Sequence, residues 1–591
     1  MTPERKNSSS DSPLVVAYAG SDASRAKKLL NDHPSIIVLG YDRWDDFNFK
    51  TTFPIYNCRI GGQAVELSSI QILAKGQQET HLYLADLLKS GWNGIFPIPN
   101  TDYISVPGEL SFYEQIAGHL GLQAAVATAR ILRDASLMTK VEEDSHALAL
   151  ANTAGFRKSL QRENGAMRSF ADGWKFFIGL GLHVENQKFR FNSAMGNELT
   201  LELRFNSSRP LPFDINVLIG PNGTGKSRLL HHIVADWLDL DQKSLQGQFE
   251  GGPNFSQVVV VSYSPFELFP VDSSESSNRK DKGDYRYFGL RGRRTRGGAR
   301  TSNARSNVLL SRAFPSADAA HSLLNCVADD QRYGVIRDWS RKVATAEQVL
   351  ATAIEFDYAA VAIPYDLPDQ VFASFGDGYE PPGGYLTKTS SEAGKVRLLP
   401  IDALFNLDLN PAAIREHLIE TEGVVFVKDR EPVALSSGQR LFSYIVINIL
   451  GAIRRNSLII VDEPELFLHP NLEIAFLRML KQILRAYGSK ALIATHSLVA
   501  VREMPSECVH VMERTKDGVV IKTPPFETFG GDMQRISSYV FGDKSVSKPF
   551  EDWIREKLKE LGSAENLLQR LGDDVNEEMI IQITAMGKGQ W

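Results

Sequence analysis

The stretch Gly220-Pro221-Asn222-Gly223-Thr224-Gly225-Lys226-Ser227 decides how this chain is to be read. It has the spacing G-x-x-x-x-G-K-S, follows the mainly apolar run Ile215–Ile219 and leads into a helical pattern over residues 228–237. A buried strand, a glycine-rich loop and a helix start in that order make a phosphate cradle. The glycines let backbone N–H groups close around an anion, and the helix N-terminus points its positive end at the same charge. Lys226 is then placed to reach the β- and γ-phosphates of a nucleotide, and Ser227 to ligate Mg²⁺.

Three later segments extend the same site. Leu458-Ile459-Ile460-Val461-Asp462-Glu463 reads as a buried parallel strand, and a carboxylate at the C-terminal end of such a strand faces the ligand crevice. Asp462 can hold Mg²⁺ through water, and Glu463 can polarise the attacking water. Residues 491–495 read as another buried strand, with His496 at its end where a γ-phosphate sensor is needed. Leu435-Ser436-Ser437-Gly438-Gln439 precedes the Asp462 strand. The intervals from Gln439 to Asp462 and from Glu463 to His496 each hold one helix.

These four segments, in this order, resemble the ABC-type ATPases, with Gly220 to Ser227 as the Walker A loop, Asp462 and Glu463 closing Walker B, and Leu435 to Gln439 as the signature loop. In that family the signature of one subunit contacts the γ-phosphate of ATP held by the other. The resemblance implies that Gly220, Pro221, Asn222, Gly223, Thr224, Gly225, Lys226 and Ser227 bind ATP in cis, with Mg²⁺ on Ser227 and Asp462 and with Glu463 and His496 catalytic. Ser437, Gly438 and Gln439 would act in trans, so a homodimer or higher oligomer closes around the nucleotides. The family's Q-loop glutamine is not evident after residues 258–261, where the chain reads Ser262-Tyr263-Ser264-Pro265-Phe266.

After Walker B the chain continues Pro464-Glu465-Leu466-Phe467-Leu468-His469-Pro470. That resembles the E-P-E-x-x-L-H-P pattern of the SMC, RecF-like and OLD-like ATPases and of stand-alone anti-phage defence ATPases of the PtuA kind. Residues 527–531 and 540–542 also resemble the tail of such defence ATPases, as do residues 285–291 more loosely. The resemblance is carried by about residues 196–265 and 430–500. It implies a regulatory ATPase that controls an effector, a nuclease partner, in prokaryotic anti-phage defence. The alternative it leaves open is a DNA-repair or DNA-end-sensing ATPase acting on DNA directly. OLD-family nucleases carry a Toprim domain after the histidine, but the chain after His496 is too short for one. Asp543, Glu551, Asp552 and Glu556 read instead as surface charges on an amphipathic helix over residues 550–561.

Composition narrows the rest. At 591 residues the chain should hold two or more domains, and 43% hydrophobic with 23% charged residues is ordinary for a globular protein. A net charge of −6 gives no global attraction to nucleic acid or to an anionic membrane. No apolar run approaches the ~20 residues that span a bilayer, and the polar start is no signal peptide. Cys58, Cys326 and Cys508 are far apart in sequence, which fits a cytoplasmic protein.

The expected fold is α/β, a P-loop ABC-type core of mixed sheet and flanking helices with an N-terminal α+β region and a helical or loop insertion. Its expected divisions are a disordered tail (1–13), the N-terminal region (14–195), the Walker A lobe (196–265), an insertion (266–430), the signature-to-histidine lobe (431–525) and a C-terminal helical segment (526–591). The N-terminal region opens with a small βαβ pattern lacking a dinucleotide fingerprint. Asp42, Asp45 and Asp46 around Trp44 read as a solvated turn. Residues 110–169 read as mainly helical, with apolar residues such as Ile116, Leu120, Ala124, Ala127 and Leu132 at helix-like spacing. Within the insertion, residues 279–306 carry Arg279, Lys280, Lys282, Arg286, Arg291, Arg293, Arg294, Arg296, Arg300 and Arg305 among glycines and serines. That run could track a phosphate backbone or remain a solvated loop.

Overall fold

Six runs of the chain, most of them rich in β-branched residues, lie side by side as parallel strands of one sheet: β1 (Ile215–Ile219), β2 (Gln257–Ser262), β3 (Tyr285–Gly289), β4 (Ser457–Asp462), β5 (Lys490–Thr495) and β6 (Val509–Thr515). A seventh, β7 (Gly518–Lys522), closes the edge antiparallel to β6, giving the order β3-β2-β4-β5-β1-β6-β7. This is a computed structural model describing residues 14–41, 49–160, 164–178, 184–193, 196–238, 240, 247–273, 285–293, 308–333, 341–376, 384–390, 394–403, 409–466, 468–516, 518–542 and 549–588. Every residue of β1, β2, β4 and β5 is buried, as a parallel sheet covered on both faces requires. Asp462 pairs with both Ser262 and Ala494, and Ile219 pairs with Thr495, so the four central strands end on one level.

The helix Lys226–Trp237 follows β1, and its Leu229, Leu230, Ile233 and Trp237 enter the same core as Val258, Ile460 and Leu492. A three-stranded antiparallel sheet, Gln187–Asn192, Glu198–Leu203 and Gly247–Phe249, adds Phe189, Phe191 and Phe249 to that core. The expected helical insertion is present as the helix Ala313–Tyr333, packed on the helix Ser437–Ala452 that follows the signature loop. It also holds a five-stranded antiparallel sheet built on Tyr358–Pro364, Gly394–Ile401 and Val424–Lys428.

In the N-terminal region Val15–Gly20 and Ile36–Gly40 pair in parallel across the helix Ala23–Asp32, which Asp22 caps by accepting from Ser24 N and Arg25 N. A second sheet sets Ile70–Ala74 between Thr52–Phe53 and Tyr103–Pro107. The helical pattern expected over residues 110–169 opens with two helices, Ser111–Leu120 and Leu122–Leu132, broken at Gly121 with φ 85. The left-handed glycine resets the phase, so the second helix buries Ala125, Thr128, Ala129 and Leu132 and leaves Ala127 exposed.

Residues Gly530–Trp591 form a separate compact unit in which Ile554, Leu567 and Ile583 make a small core. Its helix Pro549–Leu561 leaves Asp552 and Glu556 exposed, as expected, but buries Glu551. Residues 1–13, Asp42 to Asp46 and Asp543 lie outside the described residues. No described helix is long and apolar enough to cross a membrane.

Candidate active site

The cradle is built at the end of β1. Gly220, Gly223 and Gly225 adopt φ of 155, 78 and 97, conformations that side chains rarely enter, and a Cβ on Gly220 would run into the Met512 carbonyl on β6. Thr224 Oγ1 donates to the Pro221 carbonyl at 2.9 Å and braces the loop. Gly225 then caps the helix Lys226–Trp237 without a side-chain bond, which leaves the first amides of that helix to an anion.

Lys226 is 5% exposed. Its Nζ donates to the Gly220 carbonyl at 3.0 Å and lies 2.8 Å from His496 Nε2. Ser227 Oγ donates to Asp462 Oδ1 at 3.1 Å, so the two residues expected to hold Mg²⁺ already touch. Both are hard oxygen donors, a set that suits Mg²⁺. Glu463 sits one residue beyond β4 at φ 50, held by its own N–H to the Ala494 carbonyl at 2.8 Å, and Oε1 lies 3.6 Å from His496 Nε2. Lys226, Ser227, Asp462, Glu463 and His496 are thus gathered from the ends of three adjacent strands.

Burial sets the electrostatics. It lifts the Asp462 carboxyl to about 7, the charge of Glu463 adding to the effect and the bond from Ser227 opposing it. Burial also pulls the Lys226 ammonium below its ordinary value, against the pull of Glu463 and Asp462. The His496 imidazole is lowered by burial and then by Lys226, so its neutral form is favoured.

The signature loop lies apart from this cluster in sequence and presents a helix start. Ser436 and Ser437 are exposed at the N-terminus of Ser437–Ala452. Ser436 caps the helix by accepting from Gln439 N, while Gln439 Oε1 accepts from Ser436 N and Nε2 donates to the Ala353 carbonyl at 2.8 Å. Gln439 therefore spends its side chain within its own chain, and Ser437 and Gly438 are what the loop offers outward.

Two acidic residues near the site were not found from sequence. Glu267, in the segment after β2 where the glutamine was sought, is 6% exposed and accepts from Tyr287 Oη, Phe269 N and Arg291 Nη1. Its charge reaches Asp462. Glu465 accepts from the His496 backbone N–H. The basic segment is corrected in part. Arg291 also donates to the Phe269 carbonyl at 3.0 Å, and Arg293 Nε pairs with Asp272 at 2.8 Å, so these two are committed to neighbouring chain. Of the remaining basic residues only Arg286 is among the described residues, at an exposed strand position.

Residues 401–502 match the family described as "AAA domain, putative AbiEii toxin, Type IV TA system", a span that includes the signature loop, Asp462, Glu463 and His496. The chain carries a P-loop ATPase domain. Protein ea59 of Escherichia phage lambda is 21% identical over 561 residues, 93% of this chain and 94% of its own length. Among solved structures, the SMC head domain from Thermotoga maritima is 12% identical and aligns over 58% of this chain and 100% of its own, with a TM-score of 0.25. A nucleotide-free ATP-binding cassette from an ABC transporter is 12% identical over 61% and 100% of the two chains, with a TM-score of 0.26. The fold rests on the strand order and register above, not on these likenesses.

Proposed function

We propose that this chain binds ATP with Mg²⁺ at the β1 cradle and hydrolyses it, and that two copies close over two nucleotides. The observation that carries the reading is the convergence of Lys226, His496 and Glu463, 2.8 and 3.6 Å apart in turn, with the Ser227–Asp462 pair on the residues adjoining Lys226 and Glu463. The phosphates lie on the amides of Gly223 to Ser227, and Lys226 exchanges the Gly220 carbonyl for a phosphate oxygen. Ser227 and Asp462 would hold Mg²⁺, which would neutralise charge on the phosphates. Glu463 Oε1 orients the attacking water and accepts its proton, and His496, between Lys226 and Glu463, contacts the γ-phosphate. The exposed start of Ser437–Ala452 supplies Ser437 and Gly438 from the second copy. The test is phosphate release from ATP with Mg²⁺ and with excess EDTA. Turnover that needs the metal is expected, and a purified protein that releases no phosphate in either condition would end the hydrolytic reading.

The finer reading is regulation: opening or closing of the pair licenses a separate effector, a nuclease by the family resemblance, in anti-phage defence. It is supported by residues 464–470, whose pattern such ATPases carry, and by a matched family whose description names a toxin–antitoxin system. The check is phage plating on cells carrying the chain with its neighbouring genes, parent against Lys226→Ala. Equal plating on both would remove defence from the reading.

A further inference from the structure

Two carboxylates brace the turn that follows β5 at His496. Glu465 stands on the single 3₁₀ turn Pro464–Leu466 and accepts the His496 backbone N–H. Glu473, in the first turn of the helix Pro470–Ala486, is 5% exposed and hydrogen-bonds the side chain of Ser497. The arrangement follows from where β4 stops. Asp462 still pairs with Ala494, and Glu463 N–H still donates to the Ala494 carbonyl, but at Glu463 the chain swings into the left-handed region and leaves the ladder. The next donor on the β5 side is His496 N–H, and no backbone carbonyl of β4 remains to receive it. The Glu465 side chain fills that rung.

We propose that Glu465 is a positioning residue for His496, its carboxylate extending the β4–β5 ladder by one bond so that the imidazole is held between Lys226 and Glu463. The proposal rests on the ATPase reading and deepens it. The bond fixes the backbone from which the ring projects, and the ring in turn stands 2.8 Å from Lys226 Nζ and 3.6 Å from Glu463 Oε1. Losing it frees the turn to shift, and misplacement of a catalytic group by about 1 Å costs on the order of 10²-fold in rate. In this reading ATP is held by the amides of the cradle; the charge of Glu465 also reaches Lys226, and Glu465→Gln removes that charge while keeping an acceptor for the His496 bond. A glutamine in its place keeps the shape and an oxygen that can accept the same bond.

Three variants of the full chain test this: Glu465→Met, which keeps the length and removes the acceptor, Glu465→Gln, which keeps an acceptor oxygen, and His496→Ala. Glu465→Met should lower kcat by about 10- to 100-fold with KM for ATP changed less than about threefold, and Glu465→Gln should restore at least a third of the parent rate. Adding Glu465→Met to His496→Ala should cause no further loss, because Glu465 acts through the histidine. A Glu465→Met protein at the parent kcat would overturn the proposal, as would an additive loss in the double variant or a Glu465→Gln protein as slow as Glu465→Met. If the parent itself releases no phosphate, the hydrolytic reading fails first, and that result is distinct from a parent that turns over and a Glu465 variant that matches it.

Discussion

In the proposed reaction Glu463 is the residue on which the chemistry turns. Its backbone is held in a left-handed conformation that costs a non-glycine residue of order 1–3 kcal/mol, a strain that persists only where surrounding bonds fix it, here the bond to Ala494. Glu463→Gln keeps the shape and removes the base, so turnover should fall by about 10²-fold or more while ATP stays bound. Lys226→Ala leaves phosphate charge unpaired and should lose ATP affinity instead. Equilibrium binding of labelled ATP beside phosphate release separates the two defects. Light scattering in Mg²⁺ and ATP should show a larger particle for Glu463→Gln and none for Lys226→Ala, and an identical response from both would count against closure by nucleotide.

Asp462 gives the site its pH dependence. Its carboxyl ordinarily titrates at 3.8 and is raised to about 7 in the fold. For a raised carboxyl, the contribution to stability is fully present below 3.8 and is lost as pH rises towards about 7, because folding then holds a buried anion. As the proposed Mg²⁺ ligand, Asp462 would have to be an anion. Protons therefore compete with the metal below about pH 7, where each unit of pH should weaken apparent Mg²⁺ affinity by up to about tenfold. The rise in melting temperature on adding Mg²⁺ and ATP should be greater at pH 8 than at pH 6, and thermal melts at the two pH values decide it.

At the scale of elements, the signature helix carries a capping box, with Ser436 and Gln439 satisfying each other's amides. Ser436→Ala removes the cap and should cost about 1 kcal/mol, read from urea unfolding. Its effect on ATP-driven pairing should be larger than that loss predicts, because the same turn offers Ser437 and Gly438 to the second copy. Four of the six parallel strands, β1, β2, β4 and β5, were legible in the sequence because strands buried on both faces read as mainly apolar runs, and three of them lead into a chemically distinctive residue, Gly220, Asp462 or His496. His469-Pro470 was legible as a pattern, and the structure gives it a local meaning, with His469 accepting from Asn471 N as the cap and Pro470 in the first turn.

What stayed hidden depended on partners far away in the chain. Arg291 reads as one more charge in a basic run until Glu267 and the Phe269 carbonyl are seen beside it. Glu465 reads as a turn residue until the His496 amide, from another strand, is found on it. Gly121 lies within a pattern read as mainly helical, and only the backbone shows the break there.

At the scale of the molecule, the N-terminal region is fastened to the ATPase sheet at the end opposite the nucleotide site. Glu114, on the helix Ser111–Leu120, is 7% exposed and pairs with Arg455, two residues before β4 begins. Nearby, Tyr333 Oη donates to Glu109 at 3.1 Å, and the charges of Arg454 and Arg332 hold the Glu109 carboxyl below its ordinary value against the opposing effect of burial. Arg455→Ala would leave Glu114 buried without its cation, and breaking such a pair from one side costs roughly 3–5 kcal/mol. The double variant Arg455→Met with Glu114→Met removes both charges and should recover most of that loss, since the cost lies in the stranded charge and not in the missing contact. Urea unfolding of the single and double variants is the measurement. The strand that leaves this junction is β4, which ends in Asp462. A loosened junction should therefore also lower turnover in Arg455→Ala below what its unfolded fraction explains, and a rate that falls only in proportion to that fraction would mean the N-terminal region serves stability alone.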